Sequence, residues 1–408
     1  MHIVVVTGYY YPYLLPPAGC IKPYLLELAK ENEVEILCPP SNTHYTEPIV
    51  REGIEIKYIN SLPNRVLSYI KTNQEEKKRP IFTKILFIFY RGMRFLKSCL
   101  SKAPYETSLI DSYTKSLQSI HERNSIDVLI SVSFPFHTHV AALSFKTNNP
   151  EVKWVSYSTD PLAYSESNPI EKWKMKEAIK IEQAVYDISD KCLITVELFS
   201  NLTKNFHIKE EKILKLPFLM FDEIPDRSSK DRKTPMLLYA GFVFYTVRNP
   251  EKMLSVFSKV KDIELNLYIS GDRQCRTILD RPLPKHIIKN GLVPHTQYIE
   301  LLSQADVLIN LSNKAHLQAP HKLLELISTG KPIINFYYYR DSGYELISKY
   351  PIGVNISNEW SEVEIVKVIE RFIAENRNKR LNYEEIKKLY VEHLFVNQMP
   401  RFKEAIIS

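Results

Sequence analysis

Two charged residues three positions apart mark the segment APHKLLELISTGKPII, residues 319–334. Pro320 suits the first turn of a helix, and on that helix Lys322 and Glu325 share one face near the N-terminus. The positive end of a helix together with a lysine can hold a phosphate. Glu325, one turn deeper, can accept hydrogen bonds from sugar hydroxyl groups. The alternative is an ordinary surface ion pair between Lys322 and Glu325.

A second basic residue follows a predicted strand in the segment LLYAGFVFYTVRNPEKML. The strand is expected to end at Ala240, with Gly241 directly after it. Asn249 as N-cap and Pro250 at the first helical position then predict the start of a helix. Arg248 stands just before this positive helix end, where it would face an anion. The alternative is a solvated arginine beside a helix cap.

Asp160 and two histidines are weaker candidates in the first half of the chain. Asp160, within YSTDP, can orient a substrate hydroxyl group, or it can form an Asx-turn before Pro161. His137 and His139, within FPFHTHV, follow a predicted strand, and their spacing does not place both on one helix face. For each histidine alone, packing or a helix start is the expected role.

Glycine is scarce, with 10 Gly against 25 Pro among 408 residues, so a retained Gly marks a place where the backbone needs it. Four are expected in loops between a strand and a helix: Gly8, Gly19, Gly241 and Gly271. Ligands of parallel α/β sheets bind at the carboxyl ends of the strands. These four positions therefore predict where the backbone passes close to a ligand.

Short β-branched runs alternate with amphipathic helical stretches, which predicts parallel βαβ sheets covered on both faces. The predicted strands are Ile3–Thr7, Val34–Leu37, Ile54–Tyr58, Val128–Val132, Lys153–Tyr157, Lys191–Thr195, Met236–Ala240, Leu265–Ser270, Val307–Leu311, Pro332–Asn335 and Gly353–Ile356. Helical patterns lie between them, among them Cys20–Lys30 and Pro250–Lys261.

The polar segment FDEIPDRSSKDRKTP, which contains two Pro, interrupts this alternation and predicts an interdomain linker. The expected fold class is α/β, with two doubly wound Rossmann-like domains that face a cleft. The predicted boundaries are an N-terminal domain at 1–218, a linker at 219–235, a C-terminal domain at 236–382, and terminal helices at 383–408 that pack back on the N-terminal domain.

Composition narrows the class of protein. The excess of 54 Lys and Arg over 47 Asp and Glu gives a net charge of +7, which is dispersed and does not indicate nucleic-acid binding. The five Cys lie far apart, without a CxxC pair or a Cys/His cluster, which argues against a zinc site and a disulfide framework. A reducing cytoplasm is the expected location.

Membrane contact is an open possibility at one segment. No apolar stretch reaches the roughly 18 residues that span a bilayer, and MHIVVVTGYYYP lacks a basic region before its apolar run, so it reads as a strand. Ile81–Lys102 is apolar and basic. It fits either peripheral contact with an anionic membrane or a helix that packs on the core.

The ordered set of these segments resembles the retaining GT-B glycosyltransferases of family 4. In the second half the resemblance is carried by Tyr-Ala-Gly, Arg-Asn-Pro-Glu, LYISGD, NGLVPHTQYIELLSQADVLINLSN and APHKLLELISTGKPII. In the first half it is carried by VVVTGYYYPYLLPPAG, IDVLISVSFPFHTHVAAL and KWVSYSTDPLAY. The resemblance covers nearly the whole chain. It implies a metal-independent enzyme that moves a sugar from a UDP- or GDP-linked donor to a glycan or lipid-linked acceptor.

The resemblance also implies roles for particular residues. Arg248 and Lys322 would neutralise the donor diphosphate, and Glu325 would bind the nucleotide ribose. Gly241 and Gly271 would allow close approach of the donor. The N-terminal domain would bind the acceptor. It would contribute Gly19, which would face the donor phosphate, and Asp160.

The sequence departs from the family at Leu317, which replaces the first Glu of an E-x7-E pattern. No residue is therefore assigned to the contact with the donor sugar. A non-catalytic protein that binds a sugar or a partner is one alternative that stays open. A nucleotide-sugar epimerase of the same fold is the other alternative. The sequence has no GxSxG, HExxH, phosphate-binding GxxxxGK[ST] or GxGxxG pattern, so hydrolases of those types and dinucleotide oxidoreductases are disfavoured.

Overall fold

The computed structural model describes residues 1–11, 14–40, 47–59, 85, 88–89, 92, 101–166, 169–229, 232–314 and 321–407. Two compact units divide the chain: Met1–Leu216 with Met399–Ser408, and Pro217–Gln398. Each unit contains its own sheet of mainly parallel strands. The predicted α/β class with two parallel-sheet domains is therefore confirmed.

The first unit is built on an eight-stranded sheet. Its strands are β1 (His2–Val6), β2 (Glu33–Cys38), β3 (Ile49–Arg51), β4 (Ile54–Tyr58), β5 (Val128–Ser133), β6 (Lys153–Ser158), β7 (Lys191–Ile194) and β8 (Ile213–Lys215). Their order is β3-β4-β2-β1-β5-β6-β7-β8, and only β3 runs antiparallel to its neighbour. Every residue of β1 is buried, as expected for a central strand covered on both faces.

Helices connect these strands. They are α1 (Pro16–Leu28), α2 (Ile110–Arg123), α3 (His137–Asn148), α4 (Met175–Ile188) and α5 (Val196–Asn205), with short 3₁₀ turns at Lys172–Lys174 and Glu210–Lys212. No helix in the described ranges is both long and apolar enough to cross a bilayer. Most of the apolar, basic segment Ile81–Lys102 lies outside the described residues.

The second unit contains a six-stranded, fully parallel sheet. Its strands are β9 (Met236–Val243), β10 (Glu264–Gly271), β11 (Ile287–Asn290), β12 (Val307–Leu311), β13 (Ile333–Tyr337) and β14 (Gly353–Ser357), in the order β11-β10-β9-β12-β13-β14. Its helices are α6 (Glu251–Phe257), α7 (Arg273–Leu279), α8 (His295–Gln304), α9 (His321–Ile327), α10 (Ser342–Lys349), α11 (Glu362–Asn376) and α12 (Tyr383–Leu389). Residues Val391–His393 form a 3₁₀ turn, and α13 is Phe395–Ile407.

Strand β9 shows why this sheet is buried on both faces. Leu237 and Tyr239 belong to one hydrophobic cluster, which includes residues of α6, α7 and α11. Met236 and Leu238 belong to another, which includes residues of α8, α9 and α10. Because side chains alternate along a strand, β9 contributes to both cores at once.

The segment predicted as a linker, 219–235, contains neither helix nor strand among its described residues, yet it packs against the second unit. Met220 and Ile224 are buried in the cluster that also holds Leu238. Asp226 pairs with the buried Lys331 at 2.9 Å. These contacts attach the segment to the second unit rather than leaving it as a free connection.

Three glycines lie in different places from those that the sequence predicts. Gly19 lies inside the first turn of α1 rather than before it. Gly241 lies within β9, because the strand continues to Val243 instead of ending at Ala240. Gly271 is the last residue of β10. The backbone pairing of β9 with β10 extends from Met236 to Val243, and this pairing carries both strands further than the apolar runs indicate.

Candidate functional site

Lys322 reaches the end of β9 from the first turn of α9. Its Nζ donates a hydrogen bond to the carbonyl oxygen of Ala240 and lies 4.7 Å from the ring centroid of Tyr298, a distance suited to a cation–π contact. Gly241 has a φ of +156°, and a Cβ built there would lie 3.2 Å from the Lys322 Nζ. The glycine therefore leaves space at the ammonium group.

Arg248 stands at the end of a short loop that follows β9. Its backbone N–H donates to the carbonyl of Phe244 at 2.7 Å, which closes the loop. Its Nε donates to Oδ1 of Asn313 at 2.9 Å. Asn249 Oδ1 accepts the N–H of Glu251 at 2.8 Å, but α6 starts at Glu251 with Pro250 in the N-cap position, so the helix begins one residue later than the sequence predicts.

Glu325 is 6% exposed and carries its charge in the second turn of α9. Burial raises its pKa, but the His295 imidazole, whose Nε2 lies 3.8 Å from Oε1, and the electrostatic interactions with His321 and Lys322 outweigh burial, so its pKa lies below the usual value. Glu325 in turn raises the pKa of His295. The carboxylate is therefore ionised and available as a hydrogen-bond acceptor.

The same surroundings disfavour the charge on Lys322. Burial, opposed in part by Glu325 and reinforced by the nearby Arg248 guanidinium, lowers the pKa of its ammonium to about 8. Two cations held close together in a partly dry site repel each other until an anion binds. The arrangement thus favours a ligand with two or more negative charges.

A small cavity of about 10 Å³ lies beside these groups and is lined by Arg248, Lys322, Tyr239 and Tyr298 among others. This is room for about one water molecule. The buried hydroxyls of Tyr239 and Tyr298 form no hydrogen bond with any described residue. Burial raises the pKa of both hydroxyls. Arg248 lies close enough to Tyr239 to oppose this rise, and Glu325 lies close enough to Tyr298 to add to it.

The site thus brings together Arg248, Lys322 and Glu325, as the sequence predicts. Sequence reasoning missed His295, Tyr298 and Asn313. His295 and Tyr298 are three residues apart at the start of α8, the same spacing that singles out Lys322 and Glu325. Pro320 and Leu317 lie outside the described residues, so their predicted roles stay predictions.

Two candidates of the first unit, Gly8 and Asp160, lie near the carboxyl ends of β1 and β6, which flank β5 in the sheet. Gly8 follows β1, and a Cβ there would lie 2.7 Å from Pro135 Cδ, in the loop after β5. Asp160 follows β6, and its Oδ2 accepts the Thr159 hydroxyl at 3.2 Å. At Gly19 an added Cβ would make only ordinary contacts with the described residues, the shortest 3.5 Å to Leu14. Close packing therefore explains Gly8 but not Gly19.

A buried carboxylate holds the loop that contains Asp160. Glu182, 1% exposed, accepts the backbone N–H groups of Leu162 and Ala163 at 3.0 and 2.8 Å, and the hydroxyl of Tyr186 at 3.0 Å. Its pKa is raised by burial, and these three donors offset part of the rise. Glu182 thereby fixes the backbone just after Asp160.

His137 and His139 are buried in the first unit. His139 is completely buried between Ser131 Oγ, 2.7 Å from Nδ1, and Ser158 Oγ, 3.0 Å from Nε2. Burial lowers the pKa of His139 to about 3 and that of His137 to about 4. Both rings are neutral at physiological pH, in keeping with the expected packing role.

The fold of the chain is that of the GT-B glycosyltransferases. Sucrose-phosphate synthase from Thermosynechococcus elongatus superposes with a TM-score of 0.67 at 9% identity, over 99% of this chain and 98% of that one. Anabaena Alr3699/HepE in complex with UDP gives 0.65 at 9%, over 99% of each chain. WaaG, a glycosyltransferase involved in lipopolysaccharide biosynthesis, gives 0.62 at 12%, over 99% and 100%.

A family model matches part of the second unit. Residues 220–389 match the family described as "Glycosyl transferases group 1". The match includes Arg248, Lys322 and Glu325. A sequence search among curated proteins finds no match.

Proposed function

We propose that this protein is a retaining, metal-independent glycosyltransferase of family 4. It transfers a sugar from a UDP- or GDP-linked donor to a glycan or lipid-linked acceptor in the assembly of a surface polysaccharide or glycolipid. The family match supports the class of reaction. Anabaena Alr3699/HepE, a structural neighbour, is solved with UDP and with UDP-glucose, which supports a nucleotide-sugar donor.

One observation carries the proposal: two cations and an ionised carboxylate meet at the end of β9. Arg248 and Lys322 line the same small cavity, and Lys322 and Glu325 are neighbours on α9. A diphosphate relieves the repulsion between the cations, and the carboxylate accepts hydrogen bonds from the ribose hydroxyls. Because Gly241 has no side chain, nothing at this position crowds the Lys322 ammonium that would bind the diphosphate.

The proposed reaction needs charge stabilisation more than a strong base. As the bond between the sugar and the diphosphate breaks, negative charge develops on the leaving phosphate, where Arg248 and Lys322 stabilise it. The leaving diphosphate takes the acceptor proton on the same face of the sugar, and so the configuration is retained. Asp160 orients the acceptor, and Gly19 and Gly271 allow close approach of backbone and donor.

Donor binding tests the site. We expect UDP or GDP, and the corresponding nucleotide sugars, to raise the melting temperature of the full-length protein. Lys322→Ala and Glu325→Ala should each weaken binding at least about tenfold, as expected when a charge-assisted hydrogen bond is lost. Lys349→Ala is the matched control, because that lysine is 56% exposed and lies 3.9 Å from Glu392 on another helix. Unchanged affinity in both site variants would refute the assignment.

Turnover tests the reaction itself. Donor hydrolysis, and then transfer to a panel of glycan and lipid-linked acceptors, should proceed in EDTA at the same rate as with Mg²⁺ or Mn²⁺. The anomeric configuration of the product, read from its proton NMR couplings, should equal that of the donor. Tight donor binding without hydrolysis or transfer would instead indicate a non-catalytic binding protein, and an inverted product would exclude retention.

A further inference from the structure

Strand register gathers an imidazole and two carboxylates at the edge of the first sheet where β1 and β2 begin. His2 pairs with Glu33 across the parallel strands. Glu35 lies two residues further along β2, so it projects from the same face as Glu33. One ligand atom from each of His2, Glu33 and Glu35 can be chosen such that all lie within 4.8 Å of one another. His2 and Glu35 are 4% and 5% exposed, whereas Glu33 is open to solvent.

The surroundings of the His2 ring fix which nitrogen carries the proton. Nδ1 lies 3.2 Å from the carbonyl oxygens of Asn124 and Ser125, and carbonyls only accept, so Nδ1 carries hydrogen. In the neutral ring Nε2 then presents a lone pair. Nε2 is buried and has no hydrogen-bond partner within the described part of the chain. A histidine held by Nδ1–H to a backbone carbonyl, with Nε2 free, is the usual state of a metal ligand.

The separation between His2 and Glu35 fits two ligands of one ion. Nε2 lies 3.4 Å from Glu35 Oε1, which is beyond the usual range of a hydrogen bond. Two ligands at about 2.1 Å from a tetrahedral zinc ion are about 3.4 Å apart. Oε2 of Glu35 is already paired with Lys57 at 2.6 Å, so Oε1 is the oxygen that faces the imidazole. Asn124 Nδ2 orients the Glu33 carboxylate by donating to Oε2 at 3.1 Å.

Charge on this face also favours a cation. Glu33, Glu35 and Glu55 contribute three carboxylates, and Lys57, which contacts Glu35 and Glu55, contributes one ammonium. The three carboxylates outnumber Lys57 and the N-terminal ammonium of Met1, which lies at the same strand end, so these groups together carry a net negative charge. Imidazole with carboxylates is a donor set suited to Zn²⁺ and related divalent ions.

We propose that His2 Nε2, Glu35 Oε1 and a Glu33 oxygen bind a divalent transition-metal ion such as Zn²⁺, with solvent completing its coordination. The ion links the first residues of β1 and β2. It lies at the amino ends of these strands, whereas Gly8 follows the carboxyl end of β1. Its role is therefore structural, and it stands apart from the expected metal independence of sugar transfer. The register of two strands brings the ligands together, so no sequence motif predicts the site.

Another histidine in the same unit provides a matched control. His121 Nε2 lies 3.3 Å from Glu151 Oε1, almost the same spacing as in the His2 pair. However, His121 Nδ1 accepts the backbone N–H of Ile126 at 3.0 Å, so Nε2 carries the proton and presents no lone pair. A histidine–glutamate pair of equal spacing is thus unable to bind a metal in that tautomer.

Metal titration of the full-length, untagged chain tests the proposal. After chelation and dialysis, calorimetry with Zn²⁺ should give about one saturable site, and Co²⁺ should give visible absorption typical of bound cobalt. Zn²⁺ should also raise the melting temperature. His2→Gln and Glu33→Gln should each weaken Zn²⁺ binding at least about tenfold, whereas His121→Gln should bind as the wild type does.

The outcomes separate the proposal from a simple ion pair between His2 and Glu35. Absence of saturable Zn²⁺ binding to the wild type would overturn it, as would equal affinity in the wild type and Glu33→Gln. Glu33 is exposed, so its variant folds and decides the question even if His2→Gln does not fold. Nucleotide binding plays no part in this test, and failure of the proposed glycosyltransferase function would leave the result unaffected.

Discussion

Replacing Lys322 by methionine should stabilise the folded protein at neutral pH while it removes affinity for a nucleoside diphosphate. Burial, reinforced by Arg248, lowers the pKa of Lys322 from 10.5 to about 8. Each tenfold change in proton affinity corresponds to about 1.4 kcal/mol, so the folded state disfavours the ammonium by about 3 kcal/mol. Methionine keeps the aliphatic stem but loses the hydrogen bond to Ala240, which costs about 1 kcal/mol. The expected net gain at pH 7 is about 2 kcal/mol.

The stability advantage of Lys322→Met over the wild type should decrease as the pH rises. Between pH 8 and 10.5 the unfolded chain holds a proton on Lys322 that the folded protein has released. The stability of the wild type therefore rises relative to the variant through this window, by about 1.4 kcal/mol for each pH unit. Below about pH 8 both states are protonated at this residue, and the difference stays constant.

Urea denaturation of both proteins between pH 7 and pH 9.5 measures this difference, with Lys331→Met as the contrast. Burial also lowers the pKa of Lys331 to about 8. Its Nζ, however, donates to the carbonyls of Ser303 and Ala305 at 2.6 and 2.5 Å and pairs with Asp226 at 2.9 Å. Loss of these bonds leaves buried acceptors unpaired, so Lys331→Met should lose at least about 2 kcal/mol.

Calorimetry in two buffers of different ionisation enthalpy measures the functional half of the prediction. A bound diphosphate raises the pKa of Lys322, so binding of UDP or GDP near pH 8 should take up protons in the wild type and none at this residue in Lys322→Met. A lower stability of Lys322→Met than of the wild type at pH 7 would refute the predicted cost of burying this ammonium. Parallel pH profiles of the two proteins between pH 7 and 9.5 would refute it equally.

Three further changes have defined outcomes. Glu182→Gln keeps one of two acceptor oxygens for the backbone N–H groups that it binds, so urea denaturation should show a loss of about 2 kcal/mol; an unchanged midpoint would contradict this. Gly241→Ala places a Cβ 3.2 Å from the lysine ammonium, so UDP or GDP binding should weaken in calorimetry, whereas Gly291→Ala, with nothing within 4 Å, should bind normally. His295→Ala should lower the free energy of unfolding by about 0.5 kcal/mol below pH 6.5, because Glu325 raises the pKa of His295. The partly exposed pair loses its charge as pH rises through that pKa, so the difference should disappear at higher pH. Melting temperatures of variant and wild type that differ equally at pH 6 and pH 9 would argue against this.

The central strands of both sheets could be predicted from the sequence, whereas three of the four edge strands could not. The eleven predicted strands correspond to strands of the structure. The three missed strands, β3, β8 and β11, have three or four residues each and stand at sheet edges. An edge strand is covered less completely, so it lacks the continuous apolar run that reveals a buried parallel strand.

Part of the candidate site could likewise be predicted from neighbouring residues in the sequence, and the rest depends on contacts between distant segments. Lys322 and Glu325 could be predicted because three-residue spacing on one helix is visible in the sequence. Asn313, which binds Arg248, and His295, which faces Glu325, come from segments whose proximity depends on the order of strands in the sheet. Strand order and register cannot be read from one sequence, and for that reason the His2 cluster was missed as well.

The return of the last helix to the first unit affects the order in which the chain can fold during synthesis. Phe402, completely buried in α13, stacks on Tyr24 of α1 at 4.5 Å between ring centroids, and Lys403 pairs with Glu31. The first unit therefore needs residues that leave the ribosome after Pro217–Gln398 has been made. At about 5–20 residues per second this interval lasts roughly 10–40 s. Throughout it, the nascent first unit exposes the surface around Tyr24 that Phe402 later covers.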